Sequence, residues 1–394
     1  MRMITSGESH GPALVTILEG LPAGLALDQG VIDHELERRQ HGIGAGPRMR
    51  IERDEARILG GVMGGVTTGA PLAILIPNRD HEKWQGKAVE PLTVPRPGHA
   101  DLAAAIKYGY RDLRPGLERA SARETAARVA AGAVCKHLLS QFGMIVGGYV
   151  TAVGEISVDV GEMPYSERIA HAETNAVRCP DPRSSAAIES LIRQAITGKD
   201  TLGGIIEVLA LEVPPGLGSN SQWDQRLDAR LGAAVLSIQS VKGVELGSAF
   251  DNVRIPGTRA HDPIRLETAN GELTRPTDRS GGLEGGITTG QPLVVRAAMK
   301  PIATTLTPQT SVDLYKGLEL PTGYERSDFC HVPRAVPVVE AMIALVLAEA
   351  LLEKLGGDSM ADLLLRYKTL RRARLSDLPM DGTPHVFWPA GGSQ

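Results

Sequence analysis

Aromatic side chains are scarce in this chain: Phe, Tyr and Trp together make up 4% of 394 residues. That scarcity argues against a surface on which successive bases stack. The formal net charge is −4, so the chain lacks the broad positive field that draws nucleic acid, and no nucleic-acid partner is expected. Cysteine is also rare. Cys135, Cys179 and Cys330 lie far apart and no C-x-x-C spacing occurs, so neither a zinc site nor a disulfide framework is indicated, and no metal is expected. So few cysteines suit a reducing compartment, and a cytoplasmic location is expected. No unbroken run of 18 apolar residues occurs, so no membrane span or membrane partner is expected. The first residues carry no apolar segment of signal-peptide type.

Glycine, at 45 residues, and proline, at 26, are plentiful and predict many tight turns. Hydrophobic content of 42% and charged content of 22% suit a globular protein with a sizeable core. Gly7-Glu8-Ser9-His10-Gly11 is literally G-x-S-x-G. A hydrolase nucleophile elbow, however, needs several strands before it and a helix directly after the serine. Here only Met1 to Ser6 precede the motif, and Pro12 followed by Ala13-Leu14-Val15-Thr16-Ile17-Leu18 reads as a strand. GESHG is therefore expected to be a tight loop between two strands that presents Ser9 and His10. A serine hydrolase or phosphatase remains the alternative reading of these five residues.

The chain echoes itself. GGVTTGAPL at 64–72 returns as GGITTGQPL at 285–293, and Pro22-Ala23-Gly24-Leu25 has a counterpart in Pro214-Pro215-Gly216-Leu217. Each Pro-Gly echo follows a strand-like run and precedes a helix-like one, at 31–40 and 223–239. Longer helical stretches follow at 121–142 and 335–354. Two related halves, about 1–145 and 200–355, are expected to pack into one domain spanning 1–394, with 376–394 an irregular tail. Strands and helices without strict alternation indicate the α+β class.

Arginines cluster: Arg38 and Arg39; Arg48, Arg50 and Arg53; Arg111, Arg114, Arg119, Arg123 and Arg128; Arg326 and Arg334. In a chain of net negative charge this pattern points to a small polyanion, because the guanidinium fork binds carboxylate and phosphate through paired hydrogen bonds. Ser121-Ala122-Arg123-Glu124 has the spacing of a capping box that opens a helix rich in small residues, which implies close approach to another element. With Arg119 just ahead, that helix start is a candidate anion site. Arg96-Pro97-Gly98-His99-Ala100-Asp101 holds a histidine, the side chain suited to proton transfer near neutral pH, in a defined loop. Asp328 beside Arg326 can relay a proton or pair with its neighbour.

Taken together, these strings resemble the chorismate synthase family. GESHG with Leu18-Glu19-Gly20-Leu21-Pro22, the run from Glu118 to Thr125 continuing to Gly132-Ala133, and the run from Arg326 to Pro337 resemble three family signatures. The strings at 96–101 and 300–304 also fit in order and spacing, and the resemblance spans about 1–355. It implies a helical core sandwiched between antiparallel sheets, a homotetramer, and the anti-1,4-elimination of phosphate from 5-enolpyruvylshikimate 3-phosphate to give chorismate. That is the last step of the shikimate pathway to the aromatic amino acids. It also implies reduced FMN with no net redox change, with NADPH a candidate reductant.

Residue by residue, the resemblance implies that His10 protonates or stabilises the reduced flavin, that His99 lies near the leaving phosphate and that Asp328 helps move the ring proton. Ser9 and Ser121 supply supporting hydroxyls. Arg119, Ala120, Ser121, Gln239, Ser240, Gly285, Lys300, Pro301, Ile302, Ala303, Thr304 and Arg326 correspond to flavin-contacting positions. Arg39, Arg48, Arg123 and Arg334 are the candidates for holding substrate or another anion. Where family members often read G-Y-G-R-G, this chain has Gly42-Ile43-Gly44-Ala45-Gly46, so Arg48 or Arg50 is the candidate replacement for that arginine. A flavin- or anion-binding protein without turnover is the non-enzymatic alternative.

Overall fold

The computed structural model describes residues 1–44, 54–323, 328–385 and 387. Ala45, Arg48, Arg50, Arg53 and Arg326, all singled out above, lie outside the described residues. Strands β1 (Arg2–Ser6) and β2 (Ala13–Glu19) are joined through GESHG and pair antiparallel, with Thr5 opposite Thr16. After helix α1 (Gln29–Gln40) come β3 (Arg57–Gly60), the small hairpin β4 (Val62–Met63) and β5 (Val66–Thr67), and then β6 (Leu72–Pro77). The first sheet runs β1-β2-β6-β3. Leu14, Thr16 and Leu18 of β2 and Leu72, Ile74 and Ile76 of β6 are buried, whereas the intervening Ile17 is exposed. Side chains alternate between the faces of a strand, so this sheet buries one face and shows the other to solvent.

Next come α2 (Asp101–Tyr108), α3 (Arg114–Ala120) and α4 (Thr125–Ser140). Then follow β7 (Ile145–Val153), β8 (Ile156–Ser157), α5 (Tyr165–Ala172), α6 (Pro182–Gly198), β9 (Gly204–Leu211), α7 (Leu227–Leu236) and β10 (Val241–Leu246). Two short helices, α8 (Ala249–Asn252) and α9 (Gly257–Ala260), lead into the hairpin of β11 (Arg265–Glu267) and β12 (Glu272–Thr274). The hairpin of β13 (Leu283–Glu284) and β14 (Ile287–Thr288) precedes β15 (Leu293–Met299). A last hairpin of β16 (Thr310–Asp313) and β17 (Leu318–Pro321) is followed by α10 (Val332–Leu355) and α11 (Met360–Lys368). The second sheet runs β10-β15-β9-β7-β8, all antiparallel.

Helix α4 packs on β1, β2 and β6 and also on α10, while α10 packs on β7 and β9. The α4–α10 crossing is close because of one residue. A Cβ added at Gly132 would lie 2.2 Å from the Cβ of Ala341, which confirms the approach expected from the small residues of α4. Helix α10 is apolar enough to cross a membrane, with a mean hydropathy of 2.2, but 83% of that window is buried inside the protein. Each of its fully buried Val, Leu and Ile side chains contributes about 1.5–3 kcal/mol of transfer free energy, so it reads as a core helix. Its buried Glu340 is paired with Arg38 and Lys136, whose positive charges overcome the burial penalty and hold its carboxyl well below the usual carboxylate range.

The two echoing segments fold alike. Thr67 donates from Oγ1 to the Pro22 carbonyl at 2.6 Å and accepts from the Leu25 N–H at 2.9 Å. Thr288 does the same with Pro214 at 2.7 Å and Leu217 at 2.9 Å.

Three sequence-based expectations change. Ser121 caps not α4 but a single 3-10 turn, Ala122–Glu124, and accepts from the Arg123 N–H. Helix α4 itself starts at Thr125, because Glu124 turns away from Ser121 to bond Thr5, Arg128 and Gln239, so the capping box does not form. The helix expected at 223–239 is shorter, Leu227–Leu236, and the one expected at 335–354 starts earlier, at Val332, where Pro333 fits the first turn.

Candidate active site

The GESHG loop is built on a glycine requirement. Gly7 has φ +111°, and a Cβ there would sit 2.4 Å from the Ala13 carbonyl oxygen. Asn78, just after β6, donates to the carbonyls of Ser9 at 2.8 Å and Gly11 at 2.9 Å, fixing the loop from below. Arg119 grips the other end through the Thr5 carbonyl at 3.2 Å. Ser9 is buried, and its hydroxyl accepts from that of Ser121 at 3.1 Å.

His10 turns its ring to α3. Its Nδ1 lies 2.6 Å from Glu118 Oε1, and its backbone N–H donates to Glu118 Oε2 at 2.7 Å. Trp84 covers the imidazole, with ring centroids 4.6 Å apart and a 55° tilt. His99 has a second carboxylate: its Nδ1 lies 2.5 Å from Asp101 Oδ1. Asp101 opens α2 and is fully buried. Its Oδ2 also accepts from Arg96 Nε at 2.9 Å and its Oδ1 from Arg96 Nη2 at 3.0 Å, while Arg96 reaches Thr304 Oγ1 at 2.9 Å. Burial opposes a charge on Asp101, but the hydrogen bonds and charges of His99 and Arg96 outweigh it and hold the carboxyl well below the usual carboxylate range. Lys300 donates to the Gly98 carbonyl, anchoring the same loop. Burial and the nearby Lys242 lower its affinity for a proton.

Arg39, in the last turn of α1, donates to Thr125 Oγ1 and the Ala122 carbonyl, both at 3.0 Å. Arg39 and Arg123 share the buried Asp54, at 3.4 and 2.6 Å. Arg334, in the first turn of α10, is paired with Asp328. All of these side chains except Asn78, Arg119, Glu118, Asp101, Asp54 and Thr125 line one cavity of about 940 Å³. Its charged walls are Arg39, Lys83, Lys87, Arg96, Arg123, Lys242, Lys300 and Arg334, set against the carboxylates of Asp80 and Asp328. Such a lining attracts a multiply anionic ligand, and the volume stands at the upper end of small-molecule sites, which run about 300–1,000 Å³.

Residues 1–352 match the family model described as chorismate synthase. The chain is 50% identical over 379 residues to a chorismate synthase of Trichlorobacter lovleyi, covering 92% of this chain and 96% of that one. It is 48% identical over 388 residues to one of Aquifex aeolicus, covering 93% and 96%. A crystal structure of chorismate synthase superposes with a TM-score of 0.76 at 42% identity, covering 93% of this chain and 96% of that one.

The chain belongs to the chorismate synthase family.

Chorismate synthases are lyases of aromatic amino-acid biosynthesis and require a reduced flavin. The cavity fits such a ligand. Gln239 Oε1 and both ring nitrogens of His331 are buried among the cavity-lining residues without a hydrogen-bond partner among the described residues, and orphaned groups of this kind call for a ligand or water. Next to Gln239, Ser240 holds φ +71°, a strained conformation for a serine that tends to mark binding sites. Burial lowers the pKa of His331 to about 4, so its ring is neutral at pH 7.

Of the residues expected from the sequence, the cavity brings together Ser9, His10, Arg39, His99, Ala120, Ser121, Arg123, Gln239, Ser240, Lys300, Ile302, Ala303, Thr304, Asp328 and Arg334. Three are placed elsewhere. Arg119 is spent on the carbonyls of Thr5 and Gly7, Pro301 is exposed beside the lining, and Gly285 sits exposed in the β13–β14 turn with open space around it. Glu118, Asp101 and His331 lie inside the motifs of the sequence but drew no role there, and Lys83, Trp84, Lys87 and Lys242 lie outside those motifs. A lysine-tryptophan-lysine spacing between two glycine- and proline-rich loops was the one local signal for 83–87.

Proposed function

We propose that this cavity binds 5-enolpyruvylshikimate 3-phosphate beside FMN and eliminates phosphate to give chorismate, the reaction of the family to which the chain belongs. The observation that carries this reading is one cationic cavity that holds two histidines, each tied to its own carboxylate. Reduced FMN, when bound, supplies electron density that weakens the C–O bond and is returned, so the reaction has no net redox change. Arg39, Arg123 and Arg334 hold the carboxylates and phosphate of the substrate. His99, steadied by Asp101, donates a hydrogen bond to the leaving phosphate and balances its charge. His10 carries the proton that the flavin side of the site needs, and Asp328, paired with Arg334, helps move the ring proton. Ser9 and Ser121 are hydrogen-bonding neighbours. Gln239, Ser240, Lys300 and the 302–304 segment face the flavin.

We further read the chain as one domain in which α4 and α10 form a helical layer between the two sheets, and in which 1–145 and 200–355 are related halves. The matched Thr67 and Thr288 hydrogen bonds support the duplication. A homotetramer, a cytoplasmic location and NADPH as reductant are parts of the same reading. Sedimentation tests the first of these, and chorismate formation in air from oxidised FMN and NADPH with no other reductant tests the last.

The deciding experiment is anaerobic. Protein, photoreduced FMN and substrate are mixed, and chorismate absorbance and phosphate are followed together. Equal yields of both, absent with oxidised FMN, are expected. Phosphate without chorismate would overturn the lyase reading in favour of a hydrolase.

A further inference from the structure

We propose that Glu118 is a positioning residue that fixes the tautomer and ring orientation of His10. The proposal rests on the reading that His10 moves a proton in this cavity, and it goes beyond that reading by assigning which ring nitrogen does so. The carboxylate holds His10 at two points 108 residues away in sequence: Oε1 on the ring Nδ1 at 2.6 Å and Oε2 on the backbone N–H at 2.7 Å. A carboxylate only accepts hydrogen bonds. Nδ1 must therefore carry a hydrogen in the neutral ring, which makes Nε2 the nitrogen that gains and loses the proton. The second contact removes the remaining freedom, because the backbone amide pins Oε2 and with it the plane of the carboxylate. Glu118 and Trp84 restrain the ring itself, and His81 Nδ1, 3.0 Å from the His10 carbonyl, steadies the backbone that carries it.

The placement of Glu118 is not explained by its helix. It stands in the last turn of α3, where the negative end of the helix dipole disfavours a carboxylate. The neighbouring Arg119 bonds the Thr5 and Gly7 carbonyls, so the end of α3 is docked onto the GESHG loop and brings the carboxylate to His10.

The substitution Glu118→Gln makes a sharp test. The Gln oxygen can still accept from the His10 N–H, which leaves its NH2 facing Nδ1. An NH2 donates, so Nδ1 must become the acceptor and the neutral ring must switch to the Nε2–H tautomer. The measurement is 15N NMR of histidine-labelled full-length protein, with the His10 signals identified by their loss in His10→Asn, together with kcat and KM. The wild type is expected to show the Nδ1–H tautomer, and Glu118→Gln the Nε2–H tautomer with kcat reduced about 100-fold and KM nearly unchanged. A wild-type ring in the Nε2–H form would overturn the proposal even if the variant failed to fold. So would a variant that lost rate while keeping the wild-type tautomer. The spectrum needs no turnover, so a protein that made no chorismate would refute the lyase reading without deciding the tautomer.

Discussion

His10 and His99 line the same cavity and each has a carboxylate on Nδ1, yet the two pairs are built differently. Asp101 is fully buried and divides itself between His99 and the guanidinium of Arg96. Glu118 keeps some exposure and reaches His10 with both oxygens, one on the ring and one on the backbone. The first arrangement locks a charge: a buried anion must be matched by cations, and Arg96 supplies one whatever the state of His99. The second locks a direction, since the two contacts orient a ring. His331, in the same lining, has neither kind of partner on its ring nitrogens among the described residues. One residue type thus occurs in three environments: sharing a buried carboxylate with an arginine, oriented by a carboxylate through ring and backbone, and held neutral by burial.

The contrast can be broken at Asp101 with the largest effect. Asp101→Ala leaves the buried Arg96 guanidinium without its carboxylate, and a loss of about 3–5 kcal/mol is expected in urea unfolding, with chorismate formation abolished. Asp101→Asn sharpens the same point through pH. The folded carboxyl titrates below its ordinary 3.8, so its stabilisation is present above pH 3.8 and is lost as pH falls through the lower folded value. The melting-temperature gap between wild type and Asp101→Asn should therefore be full at pH 7 and narrow steadily below pH 4.

The loss expected for Glu118→Gln, about 100-fold in kcat, corresponds to roughly 2.7 kcal/mol in the barrier and should leave melting at pH 7 nearly unchanged. His331 offers the third comparison. Its folded pKa of about 4 lies below the ordinary 6.5, so the unfolded chain binds more protons between these values. Stability should fall as pH drops from 6.5 to 4. His331→Gln should remove most of that fall, about 2.5 kcal/mol across the window, in calorimetry. The smallest effect is expected of Arg96→Lys, which keeps the charge but loses the fork across Asp101: about 1 kcal/mol in stability and a modest rise in KM.

Much of the fold was legible locally. The alternation in β2 and β6, the small residues of α4 and the apolar run of α10 each follow from one periodicity, and glycines with positive φ mark the turns. The capping-box boundary shifted because a side chain found distant partners, Glu124 with Thr5 and Gln239. In the site, His10, His99 and the arginines stood out by motif. Glu118 did not, because its role depends on a contact between the end of α3 and a loop 108 residues earlier.

By itself, then, the sequence determined the family, the elements and the residue types able to handle a doubly charged phosphate ester, because those properties reside in local strings and their order. The tertiary structure alone decided which carboxylate serves which histidine, that Arg39 and Arg123 share Asp54, and that His331 lines the cavity with its ring buried. The physical reason is distance. Hydrogen bonds act over about 3 Å, and only packing of α4 and α10 against the two sheets brings residues from the two ends of the chain within that reach.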